Sequence, residues 1–437
     1  MVLAQNLLWL LVLIGVMILV HELGHYCAAR FFNVRIEVFS FGFGPRLFGF
    51  RRRETDFRFS AIPFGGFVKM AGDQPGEEAI NEPRAFLAKP RWQRLIIAFS
   101  GPAMNVVLAV GILTGLFMVK YQKPPDVQAV IGHVFPDSAA AQAGLREGDR
   151  IVRIEDKENP TWEDVAVKEL SGANQPLQVK IEREGKQLWT TVTPKLDERS
   201  GVGYVGWREQ GEIEIASVST GTPAEKAALE KGDILLSANG HPIRSQFRLQ
   251  EIIRVGGGKP VEIQYLRRGR SGVVTVQPVF ATAEGSARWM IGVYLQPRLI
   301  VIQLSFPEAL RESVRHNVRN AGLIYELLRG LVEQRMSPKT LEGPIGIARL
   351  SGEAAREGPF AFFGLMAVVS LQLAVFNLLP IPILDGGVIL VLLVEMLMRR
   401  DLSLAIKEVV FKLGFVFLMA VMIFALYNDI SKMLSAG

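Results

Sequence analysis

The residues whose types and spacing point most directly to chemistry are His21-Glu22-Leu23-Gly24-His25. On a helix, positions four apart share a face, so His21 and His25 can offer two imidazole nitrogens to one ion, with Glu22 beside a water held there. A hydrolytic zinc site needs three protein ligands and one open position. The chemistry implied is metal-assisted hydrolysis with Glu22 as acid and base. The bland alternative is a helix end carrying two interfacial histidines. The other histidines, His133, His241 and His316, fall in segments remote from this helix, so the third ligand is sought among carboxylates near a later apolar run: Asp385, Glu395 and Asp401. Asp385 is the best placed. It follows 25 uncharged residues, and Leu379-Pro380-Ile381-Pro382-Ile383-Leu384-Asp385-Gly386-Gly387 breaks a helix there, freeing backbone and aiming a carboxylate inward. As an alternative, Asp385 caps a helix restarting at Gly386.

The elements that must position these groups are apolar helices. The chain is 49% hydrophobic, and its apolar residues are bunched. Residues 1–20, Leu95–Val119 and Phe360–Leu384 carry no charge, and Leu413–Tyr427 forms a shorter clean run. Runs near 20 residues span a bilayer. The first lacks the basic start and small-residue cleavage site of a secretory signal, so it reads as a retained span. The net charge of +6 raises nucleic acid as a partner, but many basic residues sit in loops beside the apolar runs. The segment between Phe31 and Arg94 has 11 Lys and Arg against 7 acidic residues, and the last interhelical loop holds Arg399, Arg400, Lys407 and Lys412. The positive-inside rule then makes both loops, and the metal site, cytoplasmic, with the region between the second and third spans outside. The partners implied are the lipid bilayer and membrane-embedded protein, and no nucleic acid. Cys27 is the single cysteine, which excludes an internal disulfide.

Between about Asp126 and Phe280 short alternating segments replace the apolar runs, and they repeat. Ala143-Gly144-Leu145-Arg146-Glu147-Gly148-Asp149 recurs 84 residues later as Ala227-Ala228-Leu229-Glu230-Lys231-Gly232-Asp233, and the turn Glu184-Gly185 recurs as Arg268-Gly269. Each copy reads as strand, short helix, Gly-Asp turn, strand, second helix and closing hairpin. Leu-x-x-Gly-Asp-x-Ile resembles the PDZ domain in its bacterial, protease-associated form, whose members take an extended peptide as an added strand. A spacer without ligand is the alternative. Residues 36–70, with glycines that include Gly65 and Gly66, read as a β-rich loop dipping toward the membrane, whose edge can hold an opened substrate segment. Leu310, Val314, Ala321, Ile324, Leu328 and Leu331 recur at helical spacing beside Arg311, Arg315 and Arg319, which suits a helix on the membrane surface or one packed on the repeat pair. Asn105 and Asn377 offer amides either to freed substrate backbone or to neighbouring helices. Gly101, Ala103, Gly111 and Gly115 suit close helix packing.

The fold class expected is a polytopic α-helical membrane protein with four transmembrane helices, a membrane-associated β-rich loop and two α+β PDZ-like domains. The divisions are a first span with the metal motif (1–30), the cytoplasmic-side β-rich loop (31–94), a second span (95–121), PDZ-like domains (126–196 and 211–282), an amphipathic surface helix with linker (305–358), a third span with the broken Leu-Asp-Gly segment (360–398) and a fourth span (409–428).

The metal motif, the Leu384-Asp385-Gly386 segment and the tandem modules together resemble the site-2 protease family of intramembrane zinc metalloproteases, in the branch of the bacterial regulator of sigma-E protease. Phe41-Gly42-Phe43-Gly44-Pro45, Gly101-Pro102-Ala103-Met104-Asn105 and Phe376-Asn377-Leu378-Leu379-Pro380 carry the likeness further, over essentially the whole chain. The resemblance implies His21, His25 and Asp385 as Zn2+ ligands, Glu22 as catalytic acid and base, and Asn377, Pro380 and Pro382 in handling substrate. It also implies a bacterial inner-membrane enzyme, its repeat modules outside, that cuts single-span proteins such as an anti-sigma factor after a first external cut. A non-catalytic scaffold built on the repeat pair, and a soluble-type zinc protease merely anchored in the membrane, are the rival readings.

Overall fold

The computed structural model describes all residues except 1, 74–81, 120, 124–127, 198–200, 284–285, 339–342 and 436–437. The expected start of the first module at position 126 and part of the expected linker, 339–342, lie outside the described residues. The chain forms two compact units, one of Met1–Lys120, Gln303–Tyr325 and Leu341–Gly437, the other of Tyr121–Ile302 and Glu326–Thr340.

Among the described residues of the first unit, four helices are long and apolar enough to cross a membrane: Val2–Phe31, Arg91–Val119, Pro359–Asn377 and Ala405–Lys432. A helix satisfies its own backbone, which is what an apolar layer demands. The first helix buries Leu13 and Met17 against Phe362 and Met366 of the third. Its other contact is closer. A Cβ on Gly24 would lie 2.3 Å from the Ser100 carbonyl oxygen, so the backbones of the first and second helices nearly touch. The third helix ends at Asn377 and a new one runs from Asp385 to Met398. Between them Ile383 holds a φ of 86°, a left-handed conformation that β-branched residues avoid and that only firm surroundings sustain.

In the first unit two elements differ from the sequence-based expectation. The last helix runs Leu404–Ser435 rather than starting at 409, because Lys407, Glu408 and Lys412 interrupt its apolar signal but not its backbone bonding. Part of the expected linker is a helix, Pro344–Glu357. The buried Asp429 carboxylate on the last helix accepts from the backbone N–H groups of Gly343, Ile345 and Gly346, satisfying donors that a helix start leaves orphaned.

Ile36–Arg52 and Thr55–Met70 form a long antiparallel hairpin with repeated register shifts. Phe43, Leu47, Phe48, Phe50, Phe59 and Ile62 are exposed on it. Contiguous exposed apolar side chains of this size suit an apolar surrounding rather than water.

The second unit contains the repeat. In one copy the elements are Ile131–Val134, Ala139–Gln142, Arg150–Ile154, Trp162–Ser171, Leu177–Arg183 and Lys186–Val192; in the other they are Ile213–Val218, Pro223–Lys226, Ile234–Ala238, Gln246–Gly256, Val261–Arg267 and Arg270–Val276. The Gly-Asp signature now has a physical cause. Asp149 accepts from the Arg146 N–H and pairs through both oxygens with Arg183 at 2.7 Å. Asp233 does the same with the Glu230 N–H and Arg267, at 2.6 and 2.7 Å. Each buried carboxylate thus ties the turn before its strand to the end of a neighbouring strand. Each module also takes in a strand beyond the expected bounds of 126–196 and 211–282. Trp207–Glu209 pairs with Ile131–Val134, and Val293–Pro297 pairs with Ile213–Val218. Local periodicity marks a strand but not its distant partner, which is why those bounds stop short.

Asp233 is 0% exposed, whereas a quarter of the Arg267 side chain meets solvent. Asp233→Asn should therefore cost the second module about 3 kcal/mol, the lower end for breaking a buried pair. Hydrogen exchange of the Ile234–Ala238 amides in the full chain measures it. Unchanged protection would show the pair to be dispensable.

Candidate metal centre

His21 and His25 project from one face of the first helix, and Asp385 opens the helix that restarts after the Pro380–Leu384 break. His21 Nε2 lies 3.1 Å from Asp385 Oδ2, His25 Nε2 lies 3.4 Å from Asp385 Oδ1, and the two Nε2 atoms are 3.2 Å apart. Donors about 2.0–2.1 Å from a tetrahedral zinc would stand about 3.3 Å from one another. The observed separations fit that triangle. The donor chemistry fits as well. His25 Nδ1 is 2.8 Å from the Ile97 carbonyl oxygen, to which it donates its proton, so neutral His25 turns a lone pair toward the carboxylate oxygens. Lone pairs aimed at one another are tolerable when a cation lies between them.

Asp385 is not a helix cap. Leu384 occupies the cap position without a side-chain hydrogen bond, and the carboxylate faces the imidazoles. The rival carboxylates are engaged elsewhere: Glu395, wholly buried, meets Lys407 Nζ at 2.6 Å and the Leu402 N–H at 3.0 Å, and Asp401 meets Arg91 at 3.1 Å and Arg94 at 3.7 Å. A second group of potential donors among the described residues, His133, Glu147 and Glu251, lies in the repeat unit. There the Arg248 guanidinium already supplies positive charge, 3.5 Å from Glu147 and 3.0 Å from Glu251.

The long hairpin borders the cluster. The Val68 backbone hydrogen-bonds Glu22, and a Cβ on Gly66 would come within 3.3 Å of Glu22 Cγ. Gly65 has a φ of 108°, and a Cβ there would strike the Phe43 ring. Pro382 packs under the last helix at Gly414, where a Cβ would meet Pro382 Cβ at 2.4 Å, while Pro380 is exposed. Asn377 ends the third helix, half-buried, and the hydrogen bonds give it no tie to the imidazoles.

Asn105 departs from the expectation of a substrate contact. It is fully buried, and its amide nitrogen lies 3.2 Å from His21 Nδ1, while its Oδ1 is buried without a partner. With the amide rotated by 180°, Oδ1 accepts a proton from His21 Nδ1, which leaves His21 Nε2 free to ligate; amide orientation is an assignment made from such partners. Its own backbone oxygen accepts from Ser370 on the third helix at 2.9 Å, which holds it in place. Gly101 also differs from the packing role expected of it. A Cβ at that position would lie 2.3 Å from His25 Nε2 and 2.7 Å from His21 Nε2. Its lack of a side chain makes room for the imidazoles themselves. Spacing from Gly101 to Asn105, one helical turn, was the available signal.

A family model described as peptidase family M50 matches residues 9–421. The regulator of sigma-E protease RseP of Salmonella typhimurium (strain 14028s / SGSC 2262) is 30% identical, covering 98% of this chain and 99% of its own. The chain belongs to peptidase family M50. RseP of Escherichia coli (strain K12) is 29% identical over 97% of this M50 peptidase and 98% of itself. A Xylella fastidiosa (strain Temecula1) protein named as a zinc metalloprotease is 32% identical over 97% and 98%. Among solved structures, the PDZ domain of an SdrC-like protein from Listeria monocytogenes matches 20% of this chain and 90% of its own length, with 20% identity and a TM-score of 0.18. This M50 peptidase is a zinc metalloprotease, a multi-pass protein of the inner membrane with, among the described residues, four helices long and apolar enough to cross it.

Gly101→Ala should displace both imidazoles and abolish zinc retention and proteolysis. Metal analysis of the purified variant, with circular dichroism to show intact helices, checks this. A fully zinc-loaded Gly101→Ala enzyme would mean that the imidazoles lie elsewhere.

Proposed function

We propose that this M50 peptidase hydrolyses peptide bonds within or next to the transmembrane helix of single-span membrane proteins, with His21, His25 and Asp385 as zinc ligands and Glu22 as general acid and base. The observation that carries the reading is the convergence of two imidazoles and one carboxylate, each on a helix of membrane-crossing composition or directly after one. Titratable groups are costly inside an apolar layer, and their meeting there argues for catalysis. Zinc, when bound, supplies a Lewis acid that polarises the scissile carbonyl and brings water's pKa toward neutrality.

The chain's own residues supply the rest. Glu22, beside the ligand pair, takes a proton from the attacking water and returns it to the leaving amine. Ile97 fixes His25 through its Nδ1 proton, and Asn105 fixes His21 in the same way. A substrate helix hides its peptide bonds in its own hydrogen-bond ladder, so the cut segment must be drawn out into an extended form. The Gly65–Val68 stretch of the hairpin lies against Glu22, and its backbone is suited to hold that segment as an added strand. Asn377, Pro380 and Pro382, at the break before Asp385, would take part in the same handling.

The family of the named relatives favours an anti-sigma factor as substrate, cut after a first external cleavage. The basic loops favour a cytoplasmic-facing site with the repeat unit outside. The shared Asp–Arg architecture of the two modules favours two PDZ-like domains, which dock peptide or exclude substrates that still carry a bulky external domain.

Two variants test the site on a model single-span substrate. Glu22→Gln should keep zinc and slow cleavage by about 10²–10⁴-fold, whereas Asp385→Ala should lose zinc and cleavage together. Cleavage at the wild-type rate by Glu22→Gln would remove the proposed base. Asn105→Leu should weaken zinc affinity by about 10–100-fold, and competition with a chelator measures it; unchanged affinity would return Asn105 to a packing role.

A further inference from the structure

The long hairpin folds back on itself into a sheet of four strand segments. Phe50 pairs with Phe57, Phe57 with Phe39 and Phe39 with Val68; in the next row Phe48, Phe59, Phe41 and Gly66 follow in the same order. One edge, residues 66–70, lies beside Glu22. The opposite edge, residues 46–52, pairs on one side only. Directly paired residues share a face, so the rings form two ladders across the sheet. Phe48 stacks on Phe59 with centroids 4.7 Å apart, and Phe50 on Phe57 at 5.3 Å. The inner rungs rest on the first helix, where Tyr26 meets Phe39 at 5.6 Å and Phe57 at 5.7 Å. The outer rungs run past it: Phe48 is 60% exposed and Phe50 63%.

Next to the outer rungs is the hairpin tip, where positive charge is left over. Glu54 is engaged by Arg30 at 3.0 Å and Arg84 at 2.8 Å, which ties the tip to the end of the first helix. Asp56 is engaged by Arg46 at 3.4 Å. Among the described residues no carboxylate pairs with Arg51, Arg52 or Arg53, and all three are exposed. Arg53 holds a φ of 56° in the two-residue turn, a left-handed position that Gly or Asn fills without strain.

We infer that this outer edge binds an anionic phospholipid, with the headgroup phosphate on Arg51, Arg52 and Arg53 and an acyl chain along Phe48 and Phe50. This rests on the reading of the chain as an intramembrane enzyme whose hairpin lies in the lipid layer. Uncovered rings in line with unpaired guanidiniums match a molecule that is apolar along its length and anionic at one end. Guanidinium forks take phosphate oxygens through paired N–H groups. An acidic peptide or a free phosphate would meet the arginines alone. Lipid held here occupies the edge away from Glu22, so it does not compete for the edge proposed to hold substrate.

The test uses the full chain in nanodiscs of mixed phosphatidylcholine and phosphatidylglycerol, with a photoreactive diazirine in the acyl chain of one lipid or the other and mass spectrometry to map the marked residues. Phosphatidylglycerol should mark residues 47–50 more heavily than phosphatidylcholine by about ten-fold, and high salt should erase the preference. Inorganic phosphate at matched ionic strength should not compete. Replacing Arg51, Arg52 and Arg53 together by Gln should erase the preference as well, with retained zinc showing that the fold stands, whereas Arg399→Gln with Arg400→Gln should leave it unchanged. Equal marking by the two lipids, competition by inorganic phosphate, or a preference that survives high salt or the folded triple variant would overturn the lipid site while leaving the intramembrane reading in place. No marking of residues 47–50 by either lipid would overturn the placement of the hairpin in lipid itself.

Discussion

Two imidazoles and a carboxylate can stay in an apolar layer only if something satisfies all of them at once. Each alone would cost several kcal/mol to hold away from water. Meeting at 3.1–3.4 Å, they form a donor triangle sized for a small tetrahedral cation. The rest of the first unit makes that meeting possible. Gly24 lets the second helix approach until backbones touch, Gly101 clears the volume that the imidazoles fill, and the Pro380–Leu384 break turns Asp385 inward. Ile383, left-handed at 86°, holds strain at the place where the chain must depart from helix to deliver the carboxylate.

A second tier of polar contacts orients the first. The Ile97 carbonyl and the Asn105 amide address the far nitrogens of His25 and His21, and Ser370 in turn holds the Asn105 backbone. Four helices thus contribute to a centre whose proposed ligands come from two of them. Such outer partners set tautomer and ring orientation, and they matter to metal affinity almost as much as the ligands do.

The repeat unit obeys the same rule in a wetter setting. Asp149 and Asp233 are buried carboxylates made tolerable by bidentate arginines, one pair in each copy. Glu169 is a third buried carboxylate, tolerated because backbone and indole donors receive it.

Much was legible in the linear chain because it depends on neighbours along the helix or strand. The ligand pair at four-residue spacing, the uncharged runs, the 84-residue repeat and the helix break before Asp385 are all properties of local order. Tertiary structure added where the rival carboxylates go, Glu395 to Lys407 and Asp401 to Arg91 with Arg94, whereas the helix break had already favoured Asp385. It also decided that Gly101 makes room for imidazoles rather than helices, that Asn105 serves His21, and that Trp207–Glu209 and Val293–Pro297 close the modules. Covalent spacing specifies which side chains share a face; which faces meet is set by contacts between residues far apart in the chain, and no periodicity encodes those.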